Sequence, residues 1–231
     1  MIAAGAAALA TAGALAHGAF HRNSPVFGRA IGRLPRVSGG DAVALTFDDG
    51  PNPHATPRIL DALAEAGVWA TFFLLGRHVD RWPALARRVH EAGHALGNHG
   101  WYHRKLYLAS PARVREDLGR GTRAIADATG ASPRLFRAPH GFRAPWVSTI
   151  AASLGQRTVG WSLGVWDSDR PGVDAIVTRT LAGTRPRSIV LLHDGDGYDP
   201  LADRSQTAAA VPIIVAALRA RGFRLVTIPA G

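Results

Sequence analysis

The sequence predicts one α/β domain whose parallel sheet rolls into a closed or nearly closed barrel. Apolar, strand-like runs alternate with helix-like segments from residue 42 onward, which is typical of parallel strands joined by helical crossovers. The 231 residues suffice for one sizeable core, and no linker-like run divides the chain after residue 41. Because the alternation yields seven strands, a barrel is a more economical arrangement than a doubly wound sheet.

The strands are predicted from short apolar runs bounded by Gly, Pro or polar residues. They lie at 43–47, 70–75, 94–98, 134–138, 157–163, 188–193 and 224–228. Between them, Ala, Leu and Arg recur at helical spacing, and Gly follows several of these segments, as at helix ends. The predicted helices cover 55–66, 82–92, 111–129, 145–154, 173–184 and 206–221.

The first forty residues differ from this alternation. Residues 1–20 contain ten Ala and no charged side chain, so they predict an apolar leader or a membrane anchor, although Ala and Gly make a weak span. Residues 21–40 carry four Arg before the first acidic residue, Asp41, and we interpret them as a basic linker to a domain at 41–231. We therefore expect a membrane-associated or exported bacterial protein; the basic flank favours the cytoplasmic side, and the side stays open.

Charge and composition limit the classes of molecule that the protein is expected to bind. The chain has 26 Arg, one Lys and a formal net charge of +10, and its Arg and Ala excess is typical of a GC-rich genome. A basic surface favours anionic lipid, acidic glycan or nucleic acid. We expect no nucleic acid, because aromatic-and-basic repeats and zinc-finger spacings are missing from the sequence. We infer no protein partner. With no Cys, disulfides, thiolate metal sites and a Cys nucleophile are excluded.

Polar clusters follow five of the predicted strands. They are Asp48-Asp49, His99 to His103, Arg137 to Gly141, Trp161 to Asp167, and His193-Asp194. In a barrel of parallel strands the chemistry lies on the loops at the carboxyl ends of the strands, so the clusters are expected at one rim. Each cluster alone also has a structural interpretation as a cap, a turn or a packed histidine. Their combination indicates a functional site.

A metal site is predicted from two of these clusters. His99 and His103 are four residues apart, which places both imidazoles on one face of a helical turn and suits a single ion. With one carboxylate they form a three-ligand set that leaves a position for water. Asp49 is the predicted ligand, and the adjacent Asp48 is free to take the proton of that water. The donor set suits Zn²⁺, Co²⁺, Ni²⁺ or Fe²⁺.

The order T-F-D-D-G, H-x-x-x-H, R-x-P-x-G, a Trp/Asp stretch and L-L-H-D resembles the polysaccharide deacetylase family, also called the NodB-homology domain or carbohydrate esterase family 4. The resemblance covers roughly residues 41–229. It implies a distorted (β/α)₇ barrel that removes acetyl groups, usually from N-acetylated amino sugars. It also implies a divalent metal ion that is commonly zinc.

The resemblance assigns roles to matching positions. Asp48 matches the catalytic base, Arg137 the arginine that holds it, His193 the general acid and Leu191 a residue that lines the acetyl pocket. Asp49, His99 and His103 match the metal ligands. In the family an acid near position 167 tunes the general acid, and Asp167 is our candidate for that role.

Departures from the family pattern leave the substrate open. Gly100 replaces the usual Ser or Thr, Pro139-His140 replaces Pro-Tyr, and the stretch around Asp167 keeps one acid of two. Trp101, His140 and Trp161 are the candidates for substrate contact, and an indole face can stack on a sugar ring.

The predicted function is metal-dependent removal of N-acetyl groups from amino-sugar glycans. An O-acetyl esterase, or a deformylase or deacylase of a lipid-linked sugar, would use the same site. A non-catalytic carbohydrate- or membrane-binding domain is a further alternative, but binding alone needs no base and acid beside a metal.

Overall fold

Each named strand runs parallel to the strands with which it pairs. The structure is a computed structural model that describes residues 2–36 and 40–230, with side chains from residue 9 onward. Residues 1, 37–39 and 231, which belong to the predicted leader, linker and domain, lie outside the described residues. The strands are β1 (Ala42–Asp48), β2 (Thr71–Leu74), β3 (Ala95–Asn98), β4 (Leu135–Phe136), β5 (Arg157–Thr158), β6 (Leu163–Gly164), β7 (Ile189–His193) and β8 (Arg224–Leu225).

The sheet has the order β5-β4-β3-β2-β1-β7-β6, and β8 pairs with the start of β1. All seven residues of β1 are buried, as expected for a central parallel strand covered on both faces. The predicted α/β barrel in one domain is confirmed, in the form of an open, distorted barrel.

One helix precedes β1, and the others connect successive strands of the sheet. They are α1 (Ile2–Phe20), α2 (Thr56–Glu65), α3 (Gly76–Arg81), α4 (Pro83–Glu91), α5 (Pro111–Thr129), α6 (Val147–Ser153), α7 (Val173–Gly183) and α8 (Ser205–Ala220). Local signals set their ends: α5 begins after Ser110, whose side chain accepts from the Arg113 N–H, and ends at Gly130 with φ of 74°. The sequence missed α3, which forms a separate turn of helix before Pro83.

The prediction of one strand over 157–163 was wrong. This stretch forms two strands, β5 and β6, at opposite edges of the sheet, and residues 159–162 cross the gap between them. The backbone groups in the gap bond to the N-terminal segment: the Gly160 N–H donates to the Ile31 carbonyl at 3.0 Å, and Ile31 pairs with Val159 in a parallel bridge. In this gap the N-terminal segment around Ile31 therefore supplies the hydrogen-bond partners that a neighbouring strand would supply in a closed barrel.

Residues 21–36, which the sequence analysis treats as a linker, pack against the barrel. Ser24, Phe27 and Leu34 are buried, and the Arg143 side chain donates to the carbonyls of Ser24 and Gly28 at 2.6 and 3.0 Å. In α1, by contrast, residues 9–17 are exposed. None of the helices in the described ranges combines the length and apolarity that crossing a membrane requires.

Candidate active site

One cavity of about 460 Å³ opens at the carboxyl ends of the strands. Its floor is formed by residues that end β1 and β7 or follow β3, because parallel strands deliver their last residues to the same edge. The predicted residues on this floor are Asp48, Asp49, His99, His103 and His193.

Asp48, the predicted base, is the last residue of β1 and is buried against Arg137. Arg137 Nη1 donates to Asp48 Oδ1 at 2.6 Å and to Thr46 Oγ1 at 2.8 Å, and Nη2 donates to the Gly160 carbonyl at 2.9 Å. The guanidinium also lies 4.0 Å from the centre of the Phe73 ring. These contacts fix the arginine, and the arginine in turn fixes the Asp48 carboxylate.

The predicted metal ligands converge. One donor atom from each of Asp49, His99 and His103 lies within 4.8 Å of the other two, and all three residues are buried. Asp49 Oδ1 lies 3.4 Å from His99 Nε2 and 3.2 Å from His103 Nε2, and this buried oxygen has no hydrogen-bond partner among the described residues. A buried carboxylate oxygen facing two imidazole nitrogens without a bond of its own fits a divalent cation.

The backbone conformation that brings His99 and His103 together differs from the predicted helical turn. Residues 99–103 form an irregular loop and not a helical turn, since Gly100 and His103 have φ of 80° and 56°. The His99 Nδ1–H donates to the Arg137 carbonyl at 2.8 Å, which leaves the Nε2 lone pair for the site. Gly197 packs so closely on His103 that a Cβ there would lie 2.1 Å from Nδ1, so no larger residue fits.

The local charges suit a cation. Burial raises the pKa of Asp49, but the neighbouring His103 and His99 outweigh burial and lower this pKa overall. Burial lowers the pKa of His103 to about 3, so its imidazole is neutral at pH 7. Burial also acts to lower the pKa of His99, but Asp48 and Asp49 raise it overall. A proton therefore competes with a metal for His99 Nε2, and binding weakens as the pH falls.

His193, the predicted acid, ends β7 and is held by Asp167. His193 Nδ1 lies 2.9 Å from Asp167 Oδ1, and the His193 backbone N–H donates to Asp167 Oδ2 at 2.8 Å. Thr207 Oγ1 donates to the same Oδ2 at 2.8 Å. Burial acts to lower the pKa of His193, but the charge and hydrogen bond of Asp167 raise it to about 9. His193 is therefore an imidazolium at neutral pH.

Asp48 and His193 lie side by side on the cavity floor. They are register partners on the neighbouring strands β1 and β7, so their side chains leave the sheet side by side. A proton acceptor and a proton donor thus stand next to the Asp49–His99–His103 cluster.

The predicted substrate contacts divide into two groups. Leu191, Trp161 and His140 line the cavity, where His140 stands 4.6 Å from the His103 ring, centre to centre. Trp101 does not line it. Its indole packs beside Gly76, under the guanidinium of Arg120 at 4.0 Å, so its predicted place at the site was wrong.

Several cavity residues were not singled out from the sequence. The loop from 194 to 204 supplies Asp196, Gly197, Tyr198 and Arg204. Phe142 follows the R-x-P-x-G motif directly. Phe20 and Arg22 come from the predicted leader and linker, where no local pattern marks them.

Comparisons with known proteins point to one family. The family model described as "Polysaccharide deacetylase" matches residues 36–159. A chitooligosaccharide deacetylase from Bradyrhizobium sp. (strain ANU 289) is 43% identical over 202 residues, covering 84% of this chain and 91% of the relative. A peptidoglycan-N-acetylglucosamine deacetylase from Bacillus cereus (strain ATCC 14579) is 38% identical over 191 residues, covering 80% and 85%. The solved structure of the family 4 carbohydrate esterase from Streptomyces lividans in complex with acetate has a TM-score of 0.75 at 30% identity, covering 83% of this chain and 94% of the other.

Proposed function

Because the chain belongs to the polysaccharide deacetylase family, we propose that it hydrolyses the N-acetyl amide of amino sugars in a glycan, with Zn²⁺ as its metal. N-acetylglucosamine glycans are the proposed substrates, since relatives are named as chitooligosaccharide and peptidoglycan-N-acetylglucosamine deacetylases. Zinc is the proposed ion because two imidazoles and one carboxylate with an open position are its usual catalytic donor set.

One observation carries the proposal: the base Asp48 and the acid His193 are register partners beside the three candidate metal ligands. Hydrolysis of an amide needs a proton removed from water and a proton delivered to nitrogen, both close to the carbonyl. A binding module would need neither group.

Bound by Asp49, His99 and His103, a divalent ion would supply Lewis-acid polarisation of the carbonyl and of water. Asp48 accepts a proton from the attacking water as the water oxygen bonds to the carbonyl carbon. Arg137 holds the Asp48 carboxylate at 2.6 Å in one orientation for this transfer.

His193 completes the reaction. An amine is a poor leaving group as an anion, so the carbon–nitrogen bond breaks only as nitrogen receives a proton. His193 is protonated at pH 7 because its pKa is about 9, and Asp167 fixes the ring through Nδ1 so that Nε2 delivers the proton. The products are acetate and the free amino sugar. Leu191, which lines the cavity, is the proposed contact for the acetyl methyl group.

The test is acetate release from N-acetylglucosamine oligomers by chelator-stripped protein, with Zn²⁺, Co²⁺, Ni²⁺ or Fe²⁺ added back. Metal is expected to restore release, and Asp48→Asn is expected to bind metal normally while losing roughly 10²- to 10⁴-fold in rate. Asp127→Asn, at an exposed position of α5, is the matched control and should keep full activity.

Two results would contradict parts of this proposal. If the protein binds metal but releases no acetate, the N-acetyl substrate is wrong, and O-acetylated sugars and formylated lipid-linked sugars are tested next. If no metal binds at any pH, the metal-dependent mechanism is wrong.

A further inference from the structure

We propose that Phe20 and Arg22 are substrate-binding residues, and that Arg22 selects glycans carrying a carboxylate or phosphate near the acetylated sugar. This inference rests on the proposed function. Both residues lie before position 36, where the family match begins, so the family resemblance does not account for them.

The N-terminal segment is held in place at several points, so its position at the cavity is defined. The Arg143 backbone N–H donates to the Ala19 carbonyl at 3.0 Å, and the buried Arg143 side chain bonds to the carbonyls of Ser24 and Gly28. The side chains of Arg22 and Asn23 both donate to the Trp161 carbonyl at 2.9 Å. The segment therefore forms part of the cavity wall.

Phe20 offers a flat apolar surface at the mouth of the cavity. The residue is 52% exposed, and its ring stands edge-to-face against Tyr107 and Phe142 at centre distances of 4.9 and 5.4 Å. Two neighbouring rings thus fix an aromatic ring that water still reaches. Such a ring suits the apolar face of a sugar.

Arg22 has hydrogen-bonding capacity that the protein does not use. Its Nε is bonded to the Trp161 carbonyl and its guanidinium lies 5.1 Å from the centre of the Trp161 ring, but Nη1 and Nη2 have no partner in the described part of the chain. The side chain is half-buried, and burial lowers its pKa. No carboxylate of the described residues pairs with it.

Arg204, which lines the same cavity, shows the contrast. Its guanidinium donates to Asp196 Oδ2 at 2.7 Å and to the carbonyls of Gly195 and Ser168. Each of the three guanidinium nitrogens of Arg204 therefore already has a partner within the chain. Arg22, by contrast, lines the cavity with Nη1 and Nη2 free of partners among the described residues, and a planar fork of N–H donors matches a carboxylate or a phosphate.

The test measures binding separately from turnover. In the Asp48→Asn background, calorimetry compares the affinity for a neutral N-acetylglucosamine oligomer with that for oligomers of equal length carrying one carboxylate or one phosphate. We expect about tenfold tighter binding of an acidic oligomer, and which of the two binds more tightly identifies the group. The preference should shrink as salt is raised.

Variants assign this preference to Arg22. Arg22→Gln is expected to remove it, Arg22→Lys to keep part of it, and Arg29→Gln, an exposed arginine in the same segment, to leave it unchanged. An unmutated protein that binds acidic and neutral oligomers equally, or an Arg22→Gln variant that keeps the preference, would overturn the inference. The first of these results needs no mutation of Arg22, so it decides the question even if Arg22→Gln fails to fold.

Phe20→Ala is expected to weaken binding of acidic and neutral oligomers by the same factor, roughly fivefold to tenfold. Leu9→Ala, 77% exposed on the same helix, is the control. Unchanged affinity in Phe20→Ala would remove Phe20 from the site. A lack of acetate release from every glycan would refute the proposed function but leave these binding results to stand or fall by themselves.

Discussion

The base side and the acid side of the site are each a carboxylate paired with a cation, but the two pairs are inverted. On the base side the cation is the supporting partner: Arg137 is fully buried, and the Asp48 carboxylate faces the cavity. On the acid side the carboxylate is the supporting partner: Asp167 is 1% exposed, and the His193 ring faces the cavity.

The inversion explains how one cavity floor carries opposite proton transfers. A buried partner of fixed charge leaves the complementary charge on the group that faces the substrate. Arg137 thus presents an acceptor and Asp167 presents a donor, although the two pairs have similar separations of 2.6 and 2.9 Å. Substitutions of Arg137 and Asp167 test whether each buried partner sets the charge of the group that faces the cavity.

Arg137→Met should give the largest effect. It leaves the Asp48 carboxylate buried without its cation, which is expected to destabilise the fold by about 3–5 kcal/mol. Acetate release should fall at least 100-fold because the base loses its orientation. Chemical denaturation and initial rates measure both effects. Arg115→Met, an exposed arginine on α5, is the control, and native-like stability of Arg137→Met would contradict the importance of the base-side pair.

Asp167→Asn should change the pH dependence more than the maximum rate. In the wild type the protonated form of His193 is lost as the pH rises through about 9. In the variant burial still disfavours the charged ring and Asp167 no longer opposes it, so the protonated form should be lost at or below the ordinary pKa near 6.5. Activity at pH 8 is therefore expected to fall by at least about 30-fold, with a smaller loss at pH 6. A pH–rate profile measures this, and parallel profiles for the two proteins would show that Asp167 does not tune His193.

The same pair predicts how stability depends on pH. The folded-state pKa of His193 is raised, so this contribution to stability is fully present below about pH 6.5 and is lost as the pH rises through about 9. The pKa of Asp167 is lowered, because His193 and its other donors outweigh burial, so its contribution is lost only in acid. Denaturation midpoints between pH 6 and pH 10 should fall more steeply in the wild type than in Asp167→Asn, and equal slopes would contradict the coupling.

The floor of the site could be predicted from sequence because its residues follow strands directly. Asp48 and His193 end apolar runs, and parallel strands bring such ends to one edge whatever the helices between them contain. Arg137 was found in the same way, from its place after the fourth strand.

The cavity wall around this floor could not be predicted, since it depends on contacts that no local pattern records. The run 157–163 looked like one strand, yet its pairing is decided by Ile31, more than a hundred residues earlier. Phe20 and Arg22 sit in a segment whose composition predicts a leader and a linker. Trp101 follows Gly100, whose positive φ redirects the chain, and the indole packs toward Gly76 instead of the cavity.

Thr207→Val should give the smallest effect. It separates the effect of the Asp167 charge on His193 from the effect of the hydrogen bonds that orient the Asp167 carboxylate. It removes one of three hydrogen bonds that Asp167 receives, at Oδ2, but keeps both charges of the Asp167–His193 pair. We expect a loss of about 1 kcal/mol in stability and a shift of the basic limb of the pH–rate profile by less than one unit. A shift as large as that of Asp167→Asn would mean that orientation of the carboxylate, and not its charge, holds the proton on His193.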